Sequence, residues 1–545
     1  MSSPEEISDL KRERVHPQTV RPDEQTMLLS ILDATTANFA LTNAIWLFER
    51  PKGMDVSDVP DHLRRTLGTT LNSYPQWCGL LQSIDVIDDD QIFEGAEGFP
   101  AHGRRFGRVY TRFGGSAEVG VDFATAASSL TLDSLYSRER TKTQPLWNCK
   151  DNGIVRFINT CDIAHALQPN DPDAMTGIRK PIMGIQCTTL ACGGFVLAAK
   201  IAHPLADISG LVYFVSDWAR VSQAIVTGST PPVLSPVFEP VRLDEVAAGD
   251  INSHQPDPAI VKKTEALPLH RYDWWAPPGK PPAPFLDEAD SLTLSGLPMP
   301  WEEWDAKAPV SGYTIHLTKE QVEILWKDAT TEAEKGGLVI SKHDAVLAHM
   351  YSCIMRARRL EKDEGPVHCD LVLGLRSALK LGESFMGSPI IMINVEMSGT
   401  EACLTEEGKP TGLLAPIAKK VRKTIVTTSN RDNLSAHLHT VAFEKSPQRL
   451  WQAFLGQRHI LVTTWARAGL YNVDFGLGSD IRYADGLMPN LDGVVFIKEA
   501  PPLSGGFVSA SRPSWTSDGV DIGVNIKTED MERLLKDPLL LPSCS

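Results

Sequence analysis

In the run Lys200-Ile201-Ala202-His203-Pro204-Leu205-Ala206-Asp207-Ile208-Ser209-Gly210, an apolar segment delivers a histidine to a turn, and an amphipathic segment begins just after it. A neutral imidazole, with an unperturbed pKa near about 6.5, can take a proton at physiological pH. That suits the deprotonation of a weak nucleophile such as a hydroxyl. Pro204 fixes the backbone beside His203. Asp207 falls at the expected helix start, where the helix dipole favours its charge. The pattern alone is weak. With 14 histidines in the chain, and aspartate at roughly 6% of positions, about one His-x-x-x-Asp arises by chance.

Other chemistries lack their signatures. The sequence holds no GxSxG elbow, GxGxxG, P-loop or HExxH, so a serine hydrolase, Rossmann dehydrogenase, NTPase or zincin has no motif behind it. His343-Asp344 and His349 read as structural residues on a helix face. His437 and His439 resemble a metal pair, but no second cluster at ligand spacing follows, and no metal site is assigned. Cys192 sits in an apolar run and reads as a buried, inert thiol.

The elements that must position His203 are legible around it. Ile182 to Ile201 reads as two β segments broken by Gly193-Gly194. Ile208 to Ile225 places Ile208, Leu211, Val212, Val215, Trp218 and Ile225 on one helical face. Asp61 to Leu81 carries Leu63, Leu67, Leu71 and Tyr74 at helical spacing, ended by Pro75. Residues 231–300 hold 14 of the chain's 38 prolines, which neither helices nor central strands accommodate. This stretch reads as a crossover on the surface, with Trp274-Trp275 and Trp301/Trp304 packed down. Beyond it, Gly312 to Leu317, Leu371 to Leu375, Ile390 to Val395, Val494 to Ile497 and Gly519 to Asn525 read as strands. Lys319 to Lys335, a helix capped by Ser341, and Glu529 to Lys536 read as helices. The domain reading is a mobile lead-in at 1–27, a first domain at 28–230 carrying His203 and Asp207, the crossover at 231–305, and a second domain at 306–545. The segment after about Asp474 is expected to pack back on the first domain.

A chain of 545 residues exceeds the roughly 250–300 residues one core serves, so two large domains are expected. The formal net charge of −15 argues against a nucleic-acid partner. Nine cysteines, an odd number without a CxxC, suit free thiols in a reducing compartment. Neither an apolar leader at Met1 to Val20 nor a membrane-length apolar run is visible. The expectation is a cytoplasmic protein without a membrane span.

The block Cys192-Gly193-Gly194, Phe195 to Ile201, then His203-Pro-Leu-Ala-Asp207 resembles the active-site block of the BAHD acyltransferase family. Asp474-Phe475-Gly476-Leu477-Gly478 resembles that family's DFGWG block, with Leu477 in place of the tryptophan. Leu29-Ser30-Ile31-Leu32-Asp33 resembles its opening LSxxD, Ser341 to Arg358 its second-domain helix, and Leu371 to Leu379 its arginine-bearing strand. The similarity covers most of residues 28–537, and the length and proline-rich crossover resemble fungal members, such as the trichothecene 3-O-acetyltransferases, more than plant ones. Where the family often has Gly-Asn, this chain has Gly387-Ser388.

The resemblance implies an α/β fold of two similar chloramphenicol-acetyltransferase-like domains, with mixed β-sheets flanked by helices and joined by the long crossover. It implies His203 as general base in a channel between the domains. Asp207 would be its structural support, with Arg376 as ion-pair partner. Asp474, Gly476 and Gly478 would shape a loop remote from the reacting atoms. Lys380 and Ser388 are candidates for contacts to an acyl-coenzyme A co-substrate, acetyl-coenzyme A being the first expectation, and backbone amides near Gly387 are candidates for oxyanion stabilisation. No permanently bound cofactor is implied. The implied activity is transfer of an acyl group to a hydroxyl of a specialised, or secondary, metabolite, directly in a ternary complex, by a monomer. Transfer to an amine, a carrier-protein-dependent condensation-type activity, and a non-catalytic binding protein are the alternatives.

Overall fold

The structure, a computed structural model, describes residues 7–85, 95–148, 153–273, 276, 296–331, 337–405, 411–503 and 514–543. Two mixed β-sheets flanked by helices dominate it, in keeping with the expected α/β class. The first sheet has six strands in the order Ile7–Val15, Val121–Ser128, Met183–Leu190, Phe195–Ile201, Thr42–Phe48 and Ile481–Asp485. The second has seven, in the order Ile390–Ser398, Pro366–Gly374, His459–Thr464, Val494–Glu499, Val520–Lys527, Val310–Leu317 and Leu146–Asn148.

Each sheet borrows its last strand from the other half of the chain. Ile481–Asp485 pairs antiparallel with Thr42–Phe48, and Leu146–Asn148 pairs antiparallel with Val310–Leu317. The cores interlock in the same way. Trp465, Leu470, Val473, Phe475 and Leu477 lie in the core of the first half, while Leu32 and Leu243 lie in that of the second. Shared apolar burial therefore opposes separation of the halves.

The strand preceding His203 is buried along most of its length, and its Phe195 stacks on Phe48 with ring centroids 4.6 Å apart. The helix Ile208–Val226 lies against this sheet through Leu211, Phe214, Val215 and Trp218. Its C-terminal turn overhangs the core, and Ile225, expected on the buried face, is exposed. Among the described residues no helix is long and apolar enough to cross a membrane.

Two expectations need correction. Residues 7–15, read as lead-in, form an edge strand paired with Val121–Ser128. Its polar composition belongs to a solvent-facing sheet edge, where charge discourages further pairing. The crossover is not structureless. Short helices at Val241–Asp244 and Pro258–Glu265 interrupt it, and Leu243 is fully buried. Asp244 fixes it to the first half by accepting hydrogen bonds from the Ile31 amide (2.9 Å) and from His102 Nε2 (3.1 Å). Trp301 stacks near Trp304 at 6.1 Å but stays largely exposed. Trp274-Trp275 and the prolines between 277 and 284 lie outside the described residues.

Candidate active site

After the strand Phe195–Ile201 the chain makes one 3-10 turn, His203–Leu205, opened by Pro204 in its first residues. Asp207 then caps the helix Ile208–Val226, its Oδ1 accepting from the Gly210 amide at 2.9 Å. The turn is bound to the other half of the molecule. Ala206 bridges to Gly387, and the Asp207 amide donates to the Gly387 carbonyl at 3.1 Å. Gly387 is required there, because its φ of 112° is left-handed and a Cβ would come within 2.8 Å of Asp33 Oδ1.

Ser388 sets the state of the imidazole. Its Oγ donates to the His203 carbonyl at 2.5 Å and lies 3.0 Å from His203 Nδ1. The single hydroxyl proton is committed to the carbonyl, so Nδ1 must be the donor in the second contact. Nε2 is then the unprotonated nitrogen. Burial, the largest influence, pushes the His203 pKa down to about 4, against the Asp207 charge and its own backbone carbonyl, which favour the imidazolium. The side chain keeps partial exposure, which moderates that burial but not its direction. The ring is not sealed in the core, and its edge meets Phe39 at a centroid distance of 5.3 Å.

Ser388 is itself held by Asp33. The Ser388 amide donates to Asp33 Oδ1 at 2.6 Å, while Asp33 Oδ2 accepts from the Ser30 amide (2.9 Å) and Ser30 Oγ (2.7 Å) in a capping box. Burial, partly offset by these donors, pushes the Asp33 pKa up to about 6. On the other side, Asp207 Oδ2 pairs with Arg376 Nη1 at 2.5 Å. Arg376 Nη2 also donates to the carbonyls of Phe385 (2.9 Å) and Gly387 (3.3 Å). His203 thus stands where two hydrogen-bonded chains meet at Gly387-Ser388. Asp207 reaches it through the backbone and through charge.

A cleft lies beyond Phe39. Leu32, Phe39, Leu269, Ile390 and Met392 give it apolar walls, and Arg271, His437 and Gln452 give it polar ones. Phe39 belongs to both the cleft wall and the surroundings of His203.

Several expected residues sit elsewhere. Ser388 is fully buried against His203, not at an outer cofactor surface, because its side chain replaces solvent with the histidine's own carbonyl. Its amide is taken by Asp33, so it is not an oxyanion donor. Lys380 is exposed on a left-handed residue with φ of 54°. Asp474 caps its own loop, its Oδ1 accepting from the Gly476 amide at 2.8 Å, while Gln223 Nε2 donates to its carbonyl at 2.6 Å. Gly476 and Gly478 have φ of 75° and 68°. Gln223 lies sixteen residues along the helix from Asp207, about 24 Å at the helical rise, so this loop is remote from His203. Cys192 is exposed, contrary to expectation, because it lies in the turn between two strands, where it accepts from the Leu132 amide at 3.4 Å. His439 is used by Ala248 and Asp257, whereas His437 faces the cleft. Sequence reasoning missed Asp33, Phe39 and Arg271 as neighbours of the site. Only the Ser30/Asp33 spacing offered a signal, that of a capping box.

The model of the family described as "Transferase family" matches residues 117–537. Acyltransferase AFT15-1 of Alternaria alternata is 25% identical over 509 residues, covering 92% of this chain and 90% of the relative. Acyltransferase abl6 of Leptosphaeria maculans is 22% identical over 549 residues, covering 98% of both. Among solved structures, F. graminearum TRI101 complexed with coenzyme A and deoxynivalenol matches with a TM-score of 0.64 at 14% identity, over 94% of this chain and 98% of that one. Vinorine synthase matches with a TM-score of 0.57 at 15% identity, over 98% of both.

Proposed function

We infer that this chain, which belongs to the transferase family of BAHD acyltransferases, carries an acyl group from acyl-coenzyme A to a hydroxyl of a small specialised metabolite. Acetyl is the proposed acyl group. The observation that carries this reading is His203 with Nδ1 engaged by Ser388 and Nε2 left as a lone pair.

The acceptor hydroxyl gives its proton to Nε2 as its oxygen attacks the thioester carbonyl. The tetrahedral intermediate collapses by breaking the carbon–sulfur bond. The imidazolium returns the proton to the departing sulfur, so ester and free thiol form and His203 is restored. No covalent acyl-enzyme is needed, because a thiolate leaves readily. General-base assistance of this kind contributes roughly 10²–10⁴ in rate. The cleft beside Phe39 suits an acceptor that is largely apolar with a few hydrogen-bonding groups, matching its walls. Arg376 is proposed to keep the segment 385–388 in place through Asp207 and the carbonyls it holds, and Lys380 remains the proposed outer contact to coenzyme A.

The test is thiol release from acetyl-coenzyme A over a panel of hydroxylated metabolites. His203→Ala should lower kcat at least about 100-fold with the fold intact. Undiminished turnover in a folded His203→Ala protein would remove the base from this account.

A further inference from the structure

On one face of the second sheet, three imidazoles converge. His368 on the strand Pro366–Gly374 and His459 on the parallel strand His459–Thr464 are direct register partners, so their side chains leave the sheet on one side. Their rings stack with centroids 4.4 Å apart. His270 arrives from the crossover, with its ring 4.7 Å from that of His368 and 5.4 Å from that of His459. Each contributes one ring nitrogen to a set lying within 4.8 Å of one another.

The surrounding acceptors fix the orientation of each ring. Asp370, fully buried two residues along the strand from His368, has Oδ1 at 3.2 Å from His270 Nε2 and Oδ2 at 3.5 Å from His459 Nδ1. Asn394 Oδ1 lies 3.3 Å from His368 Nδ1. Every ring therefore has one nitrogen beside an acceptor and the other left over. This is the arrangement in which a metal-binding histidine directs its remaining nitrogen at an ion while a carboxylate or amide holds its far N–H.

We propose that His270, His368 and His459 bind one divalent transition-metal ion of the zinc class, oriented by Asp370 and Asn394, and that the ion clips the crossover onto the second sheet. Imidazole is the commonest protein ligand for such ions. Zinc–nitrogen bonds of about 2.0–2.1 Å would bring the nitrogens to about 3.3 Å apart, a contraction within the broad freedom of the histidine χ2 torsion. The site would be structural, since the acyl transfer described above needs no metal. It does not rest on that reading, because none of its residues touches His203. His270 also lines the cleft beside Phe39, so the clip would fix one wall of it.

The experiment is titration of the chelator-treated full chain with Co2+ and then Zn2+. One equivalent of Co2+ should bind with visible absorption bands of a low-coordinate nitrogen site, Zn2+ should displace it, and bound Zn2+ should raise Tm. Absence of stoichiometric binding in the wild-type chain overturns the proposal, whatever the variants do. His270→Ala and His459→Ala should weaken binding at least about 100-fold, and Asp370→Asn about 10–100-fold. His270→Ala changes only a crossover residue and carries the test if a strand variant does not fold. His437→Ala and His203→Ala should bind as the wild type does. Retained binding in folded His270→Ala, or loss of it in His437→Ala, would place the ion elsewhere.

Discussion

The hydroxyl of Ser388 lies between the backbone carbonyl of His203 (2.5 Å) and the Nδ1 of the same residue (3.0 Å), although 185 positions separate the two in the chain. A serine from one half of the molecule thereby decides which nitrogen of a histidine in the other half stays basic. Ser388→Ala should leave the His203 carbonyl short of a donor and release the ring from a single tautomer. Loss of one buried hydrogen bond costs about 1–3 kcal/mol. The expected result is a fall in kcat of roughly tenfold or more, with KM for the acceptor little changed and Tm slightly lowered. Ser388→Thr keeps the hydroxyl and should restore part of the rate. A purely structural serine would show no such rescue of kcat.

Asp207 and Arg376 test a different link. Their pairing is mostly shielded, with side-chain exposures of 9% and 14%. Removing one partner leaves the other charge stranded, at a cost of up to about 3–5 kcal/mol for a fully buried pair and less for this one. Arg376→Met should therefore lower stability in urea and reduce turnover together, because the segment 385–388 loses the guanidinium that holds its carbonyls. Asp207→Ala should do the same and also remove a helix cap, at about 1 kcal/mol. A loss of activity in either variant with unaltered stability would contradict a supporting role.

The turn that carries His203 is legible because its information is local: a strand, a proline-fixed turn and a capping aspartate within eight residues. Arg376 was reached only through resemblance, since nothing local to either residue announces a pair 169 positions apart. From the sequence Ser388 is only a candidate cofactor contact, standing where the family often has asparagine. Its buried bonds to His203 depend on how two halves meet, which no local pattern encodes. Asp33 was hidden as the end of an opening motif, although the capping box it forms with Ser30 is visible in the spacing. The edge strand Ile7–Val15 is not separable from a lead-in by sequence, because exposed edges and loose termini share a polar composition. The placement of Leu146–Asn148 in the second sheet is likewise a property of assembly, not of the segment.

Gly387 supplies a steric test of the same junction. Its φ of 112° already disfavours any side chain, and a Cβ would lie 2.8 Å from Asp33 Oδ1. Gly387→Ala must either distort the backbone that bridges to Ala206 or displace the carboxylate that holds the Ser388 amide. The backbone strain alone is of order 1–3 kcal/mol. The variant should be less stable and slower than the wild type by the same assays. Gly382→Ala is the comparison, since Gly382 also has positive φ (87°) but nothing within 4 Å of its Cβ position; it should lose some stability and keep its rate. Equal rates in the two variants would show that the contact with Asp33 does not matter to His203.

Buried neutral histidines should make the fold acid-sensitive, and the sign can be worked out. Burial pushes the pKa of His349 down to about 4 although Leu540 accepts from its ring, and it pushes His437 down to about 3. The unfolded chain takes up these protons near pH 6.5, the folded one only near the depressed values. Their contribution to stability is therefore complete above about pH 6.5 and shrinks as pH falls towards 4, by at most about 3 kcal/mol for a shift of His349's size. Asp33 acts in the opposite sense. Its carboxyl is raised from 3.8 to about 6, so its contribution is full below about pH 3.8 and is lost as pH rises through 6. The histidines outnumber it, and the urea midpoint should drop steadily from pH 6.5 to 4.5. His349→Gln, which can still donate to the Leu540 carbonyl but cannot titrate, should flatten that slope. A midpoint that stays level over this range, or a slope unchanged in His349→Gln, would mean that these imidazoles are not held neutral by burial.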